Sequence, residues 1–202
     1  MLVPEVAQGA ADDLDDLRAA CDIAVADLIE ARPDHIAVIG GGPVDTFWPT
    51  HAGGTLKPYG VDMHAGGETD ELPLALTIGA WLLDRAGWTG SRAYATAGLE
   101  PRGPTALLVM ADGSAKRTSE APGYFDERAE PFDRAISEAL AAGDSDTLAT
   151  LDEDLANELW SSGAQPLKAL GRMTKGATIA ARLHYDGAPF GVGYWVADWK
   201  LS

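Results

Sequence analysis

The sequence has little cysteine, little positive charge and no long hydrophobic run, and each shortage excludes a class of protein. A single cysteine, Cys21, rules out an intramolecular disulfide and a cysteine-based zinc cluster. There are 15 lysine and arginine residues against 31 aspartate and glutamate residues, so the formal net charge is −16. Such a surface repels phosphate, so we expect no nucleic acid and no membrane among the partners. The longest apolar stretch, residues 72–83, is too short to span a bilayer.

Length and composition are otherwise those of an ordinary globular protein. The chain has 202 residues, of which 46% are hydrophobic and 23% charged. At about 150 residues per domain, one domain over residues 1–202 is the expectation. The opening residues, Met1-Leu2-Val3-Pro4, lack the basic and apolar regions of a signal peptide, so the cytoplasm is the expected location.

Stretches with helical spacing alternate with short apolar runs along the chain. The pattern predicts helices over residues 11–31, 71–86 (with Asp70 as N-cap), 126–142, 145–162 and 166–170. It predicts buried strands over residues 36–39, 92–96 and 105–110, and a loop over residues 44–67. Two aromatic-rich runs around Asp186-Gly187 predict a closing β-hairpin. We therefore expect an α/β fold with a mixed central sheet, covered by helices, and a C-terminal β-hairpin.

Two histidines of the predicted loop are candidate metal ligands. His51 and His64 lie in it, and the acidic residues Glu68 and Glu71 follow. Two histidines and one carboxylate are the ligand set of non-haem ferrous iron, so Fe(II) is a candidate cofactor. Histidine and glutamate in loops are more often simply solvated, and both interpretations stay open.

Two turns that follow predicted strands are candidate ligand-binding segments. The turn at Gly41, Gly42 and Pro43 lacks the third glycine of a dinucleotide fingerprint and the lysine of a P-loop. Its glycines still let a ligand approach the backbone closely. Asp112 and Ser114 follow the strand over 105–110, but Ser114 lacks the surroundings of a hydrolase nucleophile, and a polar turn is the simpler interpretation.

Aromatic residues are most simply explained as core or interface side chains. This applies to Trp81, Trp88, Trp160, Trp195 and Trp199. The last two, with Tyr194, are also a candidate homodimer seam.

Four segments resemble the class III extradiol ring-cleavage dioxygenase superfamily, in its compact actinobacterial form. They are residues 2–6 (LVPEV), 36–43 (IAVIGGGP), 70–74 (DELPL), and the C-terminal stretch that includes QPL at 165–167, HY at 184–185 and PFGVGY at 189–194. The resemblance covers nearly the whole chain and implies the extradiol dioxygenase-like fold.

The resemblance also implies a chemistry whose histidines are missing here. Active members of the family hold ferrous iron with two histidines and a glutamate, and a further histidine serves as acid and base while dioxygen opens a catechol-type ring. The first ligand lies in a segment before residue 2, so we expect a domain without the family's first strand. Val44 follows Pro43 where the second histidine is expected, and Ala115 follows Ser114 where the acid/base histidine is expected.

Two functions follow from this departure. The first is a diverged protein without the full iron site that binds a small aromatic ligand or a protein partner in a retained cleft. Its expected lining is Gly41, Gly42, Pro43, Asp112 and Ser114. The alternative is a ferrous-iron-dependent ring-opening oxidoreductase, or another metal-assisted enzyme, with a rearranged site. Its ligands would come from His51, His64, Glu68 and Glu71.

Overall fold

The computed structural model describes residues 2–10, 12–43, 45–96 and 103–202. The chain divides into two compact units, Met1–Met110 and Ala111–Ser202, and each is described by itself. A single domain over residues 1–202 stays a prediction. Within the ranges just given, no helix combines the length and the apolar character needed to cross a membrane.

A four-stranded mixed sheet forms the framework of the first unit. The strands of this unit are β1 (His35–Gly40), β2 (Phe47–Trp48), β3 (Gly53–Thr55), β4 (His64–Gly66), β5 (Ser91–Ala95) and β6 (Thr105–Met110). The four-stranded sheet has the order β2-β5-β1-β6. Strands β5 and β6 pair with β1 in parallel on its two sides, and β2 adds antiparallel to β5. Strands β3 and β4 form a separate hairpin.

Helices cover this sheet because the central strand is apolar on both faces. The helices of the unit are α1 (Pro4–Ala7), α2 (Asp15–Glu30) and α3 (Leu74–Arg85). Ile36 and Val38 of β1 share one core with Val25 of α2 and with Leu76 and Leu83 of α3. The predicted strands over 36–39, 92–96 and 105–110 are confirmed, and the helix predicted over 11–31 is confirmed from Asp15, with Ala11 outside the described residues.

Two predictions for the first unit were wrong in detail. Helix α3 begins at Leu74 rather than at residue 71, and Asp70 is not its N-cap. The reason is that the backbone N–H groups of Glu71 and Leu72 both donate to the carbonyl of Gly53, at 2.9 Å each, which holds them outside the helix. The stretch 44–67 is not all loop, because it contains β2, β3, β4 and a 3-10 turn; Val44 lies outside the described residues. These strands are two or three residues long, too short to show an alternating pattern.

The second unit packs helices against a long β-hairpin. Its elements are α4 (Ala129–Ala142), α5 (Ser145–Ala149), α6 (Glu153–Glu158), α7 (Ala164–Met173), β7 (Ile179–Gly187) and β8 (Tyr194–Leu201). Strands β7 and β8 pair antiparallel, and α4 lies on β7. Ile136, Leu148, Leu159 and Leu167 are buried together in the core of this unit. The predicted C-terminal hairpin and the α/β class with a mixed, helix-flanked sheet are confirmed.

Helix boundaries in the second unit follow side-chain caps that the apolar pattern does not show. The helix predicted over 145–162 is two helices, because Asp152 accepts hydrogen bonds from the backbone of Asp154 and Leu155, at 3.0 Å each, and starts α6. The helix predicted over 126–142 begins at Ala129, after the Asp126 carboxylate has accepted the backbone N–H of Arg128 at 3.0 Å. The short helix predicted over 166–170 is longer, Ala164–Met173.

Candidate functional site

The glycine-rich turn lies at the carboxyl end of the central strand. From β1 the chain continues to β5 on one side of it and then to β6 on the other, so the strand order reverses between β1 and β6. In open α/β sheets, ligands bind outside the carboxyl ends of the strands at such a reversal. Gly42 and Pro43 are exposed there, and Gly41 is partly exposed.

A buried threonine holds this turn in place. The Thr96 hydroxyl donates to the carbonyl of Pro43 and accepts the backbone N–H of Thr46 at 3.1 Å. A Cβ atom at Gly42 would lie 2.8 Å from Pro73 Cγ and 2.8 Å from Thr96 Cγ2, so only glycine fits there without a shift. The turn is therefore an anchored surface.

The predicted metal-ligating residues lie around the β3–β4 hairpin. His64 begins β4, and its Nε2 lies 3.1 Å from both the Asp70 carboxylate and the carbonyl of Thr69. His51 precedes β3, and its carbonyl accepts the backbone N–H of Glu68 at 2.9 Å. The structure thus pairs His64 with an acid that was predicted to be a helix cap, and joins His51 to Glu68 only through the backbone.

These residues, as placed, do not fit a mononuclear iron site. Within the part of the chain that the structure describes, His51, His64, Glu68 and Glu71 do not bring three ligand atoms within 4.8 Å of one another. All four are exposed. A metal site built from them stays a prediction, and no chemical step is derived through iron.

In the second unit, Ser114 is tied to a buried carboxylate. Asp133 of α4 is 1% exposed, and it accepts the backbone N–H of Ser114 at 2.8 Å and the Ser114 hydroxyl at 2.7 Å. Arg117 Nη1 donates to the same carboxylate at 3.2 Å. Burial raises the pKa of Asp133, against the opposing effect of these hydrogen bonds. Ser114 itself is fully buried, so its hydroxyl fastens the turn to α4 and does not face solvent.

Asp112 and Tyr194 are the two titratable groups beside that turn. The Asp112 carboxylate accepts the backbone N–H and the hydroxyl of Ser162, at 2.9 and 2.8 Å. Burial raises the pKa of Asp112 and also that of Tyr194, and the negative charge of Asp112 adds to the shift on Tyr194. Shifted pairs of this kind are enriched at functional sites.

Sequence reasoning missed Tyr194 as a member of this site. It lies there because Gly193, its neighbour, pairs with the turn: Gly113 N–H donates to Gly193 O at 2.8 Å, and Gly193 N–H donates to Ser114 O at 2.9 Å. The pairing joins segments some 80 residues apart (193 minus 113). No local pattern indicates it. The participation of Asp112 and Ser114 in ligand binding stays a prediction.

The tryptophans of the predicted homodimer seam are used within their own unit. Trp195 and Trp199 pack against the core of the second unit, and Trp199 Nε1 donates to the carbonyl of Leu140 at 2.7 Å. A homodimer through this strand stays a prediction.

Comparison with models of known protein families found no match for this chain, and a search of curated proteins found none either.

Proposed function

We propose that the protein is a diverged member of the class III extradiol dioxygenase superfamily that binds a small aromatic ligand without the family's full iron site. The observation that carries this proposal is the exposed turn of Gly41, Gly42 and Pro43, anchored by Thr96 where the strand order reverses. Backbone without a Cβ atom admits close approach of a flat ligand. An anchored turn loses little conformational freedom when a ligand binds, which favours affinity.

The missing imidazoles support binding rather than ring opening. General acid/base catalysis by a positioned side chain is worth about 10²–10⁴-fold in rate, and Ala115 has no group that can move a proton. Ferrous iron needs more than exposed, separated ligands to be held. The arrangement around His64, with Asp70 as its partner, supports a solvated hairpin in place of a metal centre.

The test measures iron and ligand on the same preparation. The protein is purified without oxygen, supplied with ferrous ammonium sulfate and desalted, and iron per chain and oxygen uptake with catechol are measured. Catechol binding is then followed by calorimetry in the wild type and in Gly41→Val, which narrows the turn. Gly9→Val is the matched control, since open space surrounds Gly9.

We expect little retained iron, no oxygen uptake, and saturable catechol binding that Gly41→Val weakens at least tenfold and Gly9→Val leaves unchanged. Nearly one iron per chain, lost on His64→Ala and accompanied by oxygen uptake, would instead establish the rearranged oxygenase. Absence of saturable binding by catechols would contradict the ligand-binding proposal.

A further inference from the structure

Several large aromatic side chains of the second unit are displayed to solvent. Tyr124 is 74% exposed, Phe125 is 65% exposed and Trp160 is 58% exposed. Single exposed apolar side chains are common, but a group of aromatic residues on adjoining segments indicates an interaction site.

Hydrogen bonds bring these segments together around Lys116. Ala115 donates its N–H to the carbonyl of Leu159 at 3.0 Å, which places the residue before Lys116 against the residue before Trp160. Gly123 donates to the carbonyl of Ala115 at 2.9 Å, which brings the residue before Tyr124 to the same place. We call Lys116, Tyr124, Phe125 and Trp160 the aromatic surface.

Lys116 supplies the positive charge of the aromatic surface. Its Nζ lies 5.4 Å from the centroid of the Trp160 ring. A Cβ atom at Gly123 would lie 2.6 Å from Lys116 Cγ, so the glycine leaves room for the lysine stem to lie flat. Among the residues that the structure describes, the Lys116 ammonium makes no hydrogen bond and no ion pair.

The surroundings of this ammonium leave it open to an anion from outside. Its charge helps to lower the pKa of Asp126, but the Asp126 carboxylate is already held by the Arg128 guanidinium, at 2.8 and 3.0 Å. In a chain with 31 acidic residues, a half-buried ammonium without a carboxylate in contact is complementary to an anionic ligand.

The backbone is strained where the aromatic side chains are displayed. Trp160 has φ 58° and Tyr124 has φ 62°, in the left-handed region that side chains rarely adopt. Trp160 stands one residue beyond the C-cap of α6, where its N–H donates to Asn157 O and the N–H of Ser161 donates to Ala156 O. That position usually holds glycine, as Gly143 shows at the end of α4. Strained residues that are also exposed are candidates for a functional role.

We propose that the aromatic surface binds a small planar aromatic carboxylate. The ligand's ring stacks on Trp160 and Tyr124, and its carboxylate pairs with the Lys116 ammonium. The site is independent of the glycine-rich turn of the first unit and of any metal.

The strain makes the test sharp, because removing Trp160 should not unfold the protein. Trp160→Gly places the preferred residue at the end of α6, so its melting temperature should equal or exceed that of the wild type. The probe is 2-naphthoate, with uncharged 2-naphthamide and non-aromatic cyclohexanecarboxylate as comparisons, and binding is measured by calorimetry. The control variant is Tyr59→Ala, which removes an exposed aromatic side chain of the first unit.

We expect 2-naphthoate to bind at least tenfold more tightly than either comparison compound. Trp160→Gly should lose at least tenfold in affinity, and Lys116→Met should bind acid and amide equally, while Lys116→Arg and Tyr59→Ala retain the wild-type preference. Absence of 2-naphthoate binding, equal affinity of acid and amide for the wild type, or unchanged affinity in a folded Trp160→Gly would overturn the proposal.

Discussion

Replacing Asp133 with alanine should destabilise the second unit by about 2.5–4.5 kcal/mol. Breaking a buried, hydrogen-bonded ion pair costs about 3–5 kcal/mol, because the remaining partners are left without an acceptor. Here these are the N–H and hydroxyl of Ser114, which is 0% exposed, and the guanidinium of Arg117. Alanine is the better helix former inside α4 and returns about 0.5 kcal/mol.

Urea unfolding followed by tryptophan fluorescence and circular dichroism measures this loss. Glu138→Ala is the matched control, since Glu138 is an exposed acid on the same helix. It should change the free energy of unfolding by less than about 0.5 kcal/mol. A loss below about 1 kcal/mol for Asp133→Ala would refute the assignment of Asp133 as the acceptor that holds the turn.

The same variant has a pH dependence with a definite sign. Burial raises the pKa of Asp133 above its ordinary value of 3.8, so the folded state binds the proton more tightly than the unfolded state does. The stability that this group contributes is full below pH 3.8 and is lost as pH rises through the higher folded-state pKa. The deficit of Asp133→Ala should therefore be larger at about pH 4.5 than at pH 7, and the opposite trend would show that the hydrogen bonds outweigh burial.

Three further predictions concern other parts of the chain. Burial raises the pKa of Cys21 from its ordinary 9.0 to about 12; the thiolate fraction at pH 8 falls roughly 10³-fold, so iodoacetamide should label Cys21 rapidly only in urea. Thr96→Val removes the hydroxyl that bridges Pro43 and Thr46 and should cost about 1–3 kcal/mol in thermal unfolding, whereas Thr105→Val, with only a local bond, should cost little. If the homodimer exists through the last strand, Trp195→Ala should lower the mass measured by sedimentation, and an unchanged mass would contradict the seam.

Most of the first unit could be predicted because its elements depend on apolar periodicity. The continuous run Ile36–Ile39 requires burial on both faces, which only a central strand between helices provides. The start of α3 could not be predicted, because the carbonyl of Gly53 captures the N–H groups of Glu71 and Leu72 from a distance of 18 residues (71 minus 53) or more. Such a contact depends on tertiary structure and leaves no local pattern.

The candidate sites of the second unit were hidden for a different reason. Composition treats tryptophan as a core residue, and the helical spacing continues through Trp160, so the sequence predicts one helix and a buried ring. The structure ends the helix two residues earlier and turns the backbone at Trp160 to φ 58°, which leaves the ring 58% exposed. A sequence pattern favours the residue of lowest local energy, and glycine is that residue at such a position. A site that keeps a tryptophan there departs from local preference, and that departure is visible only once the backbone is known.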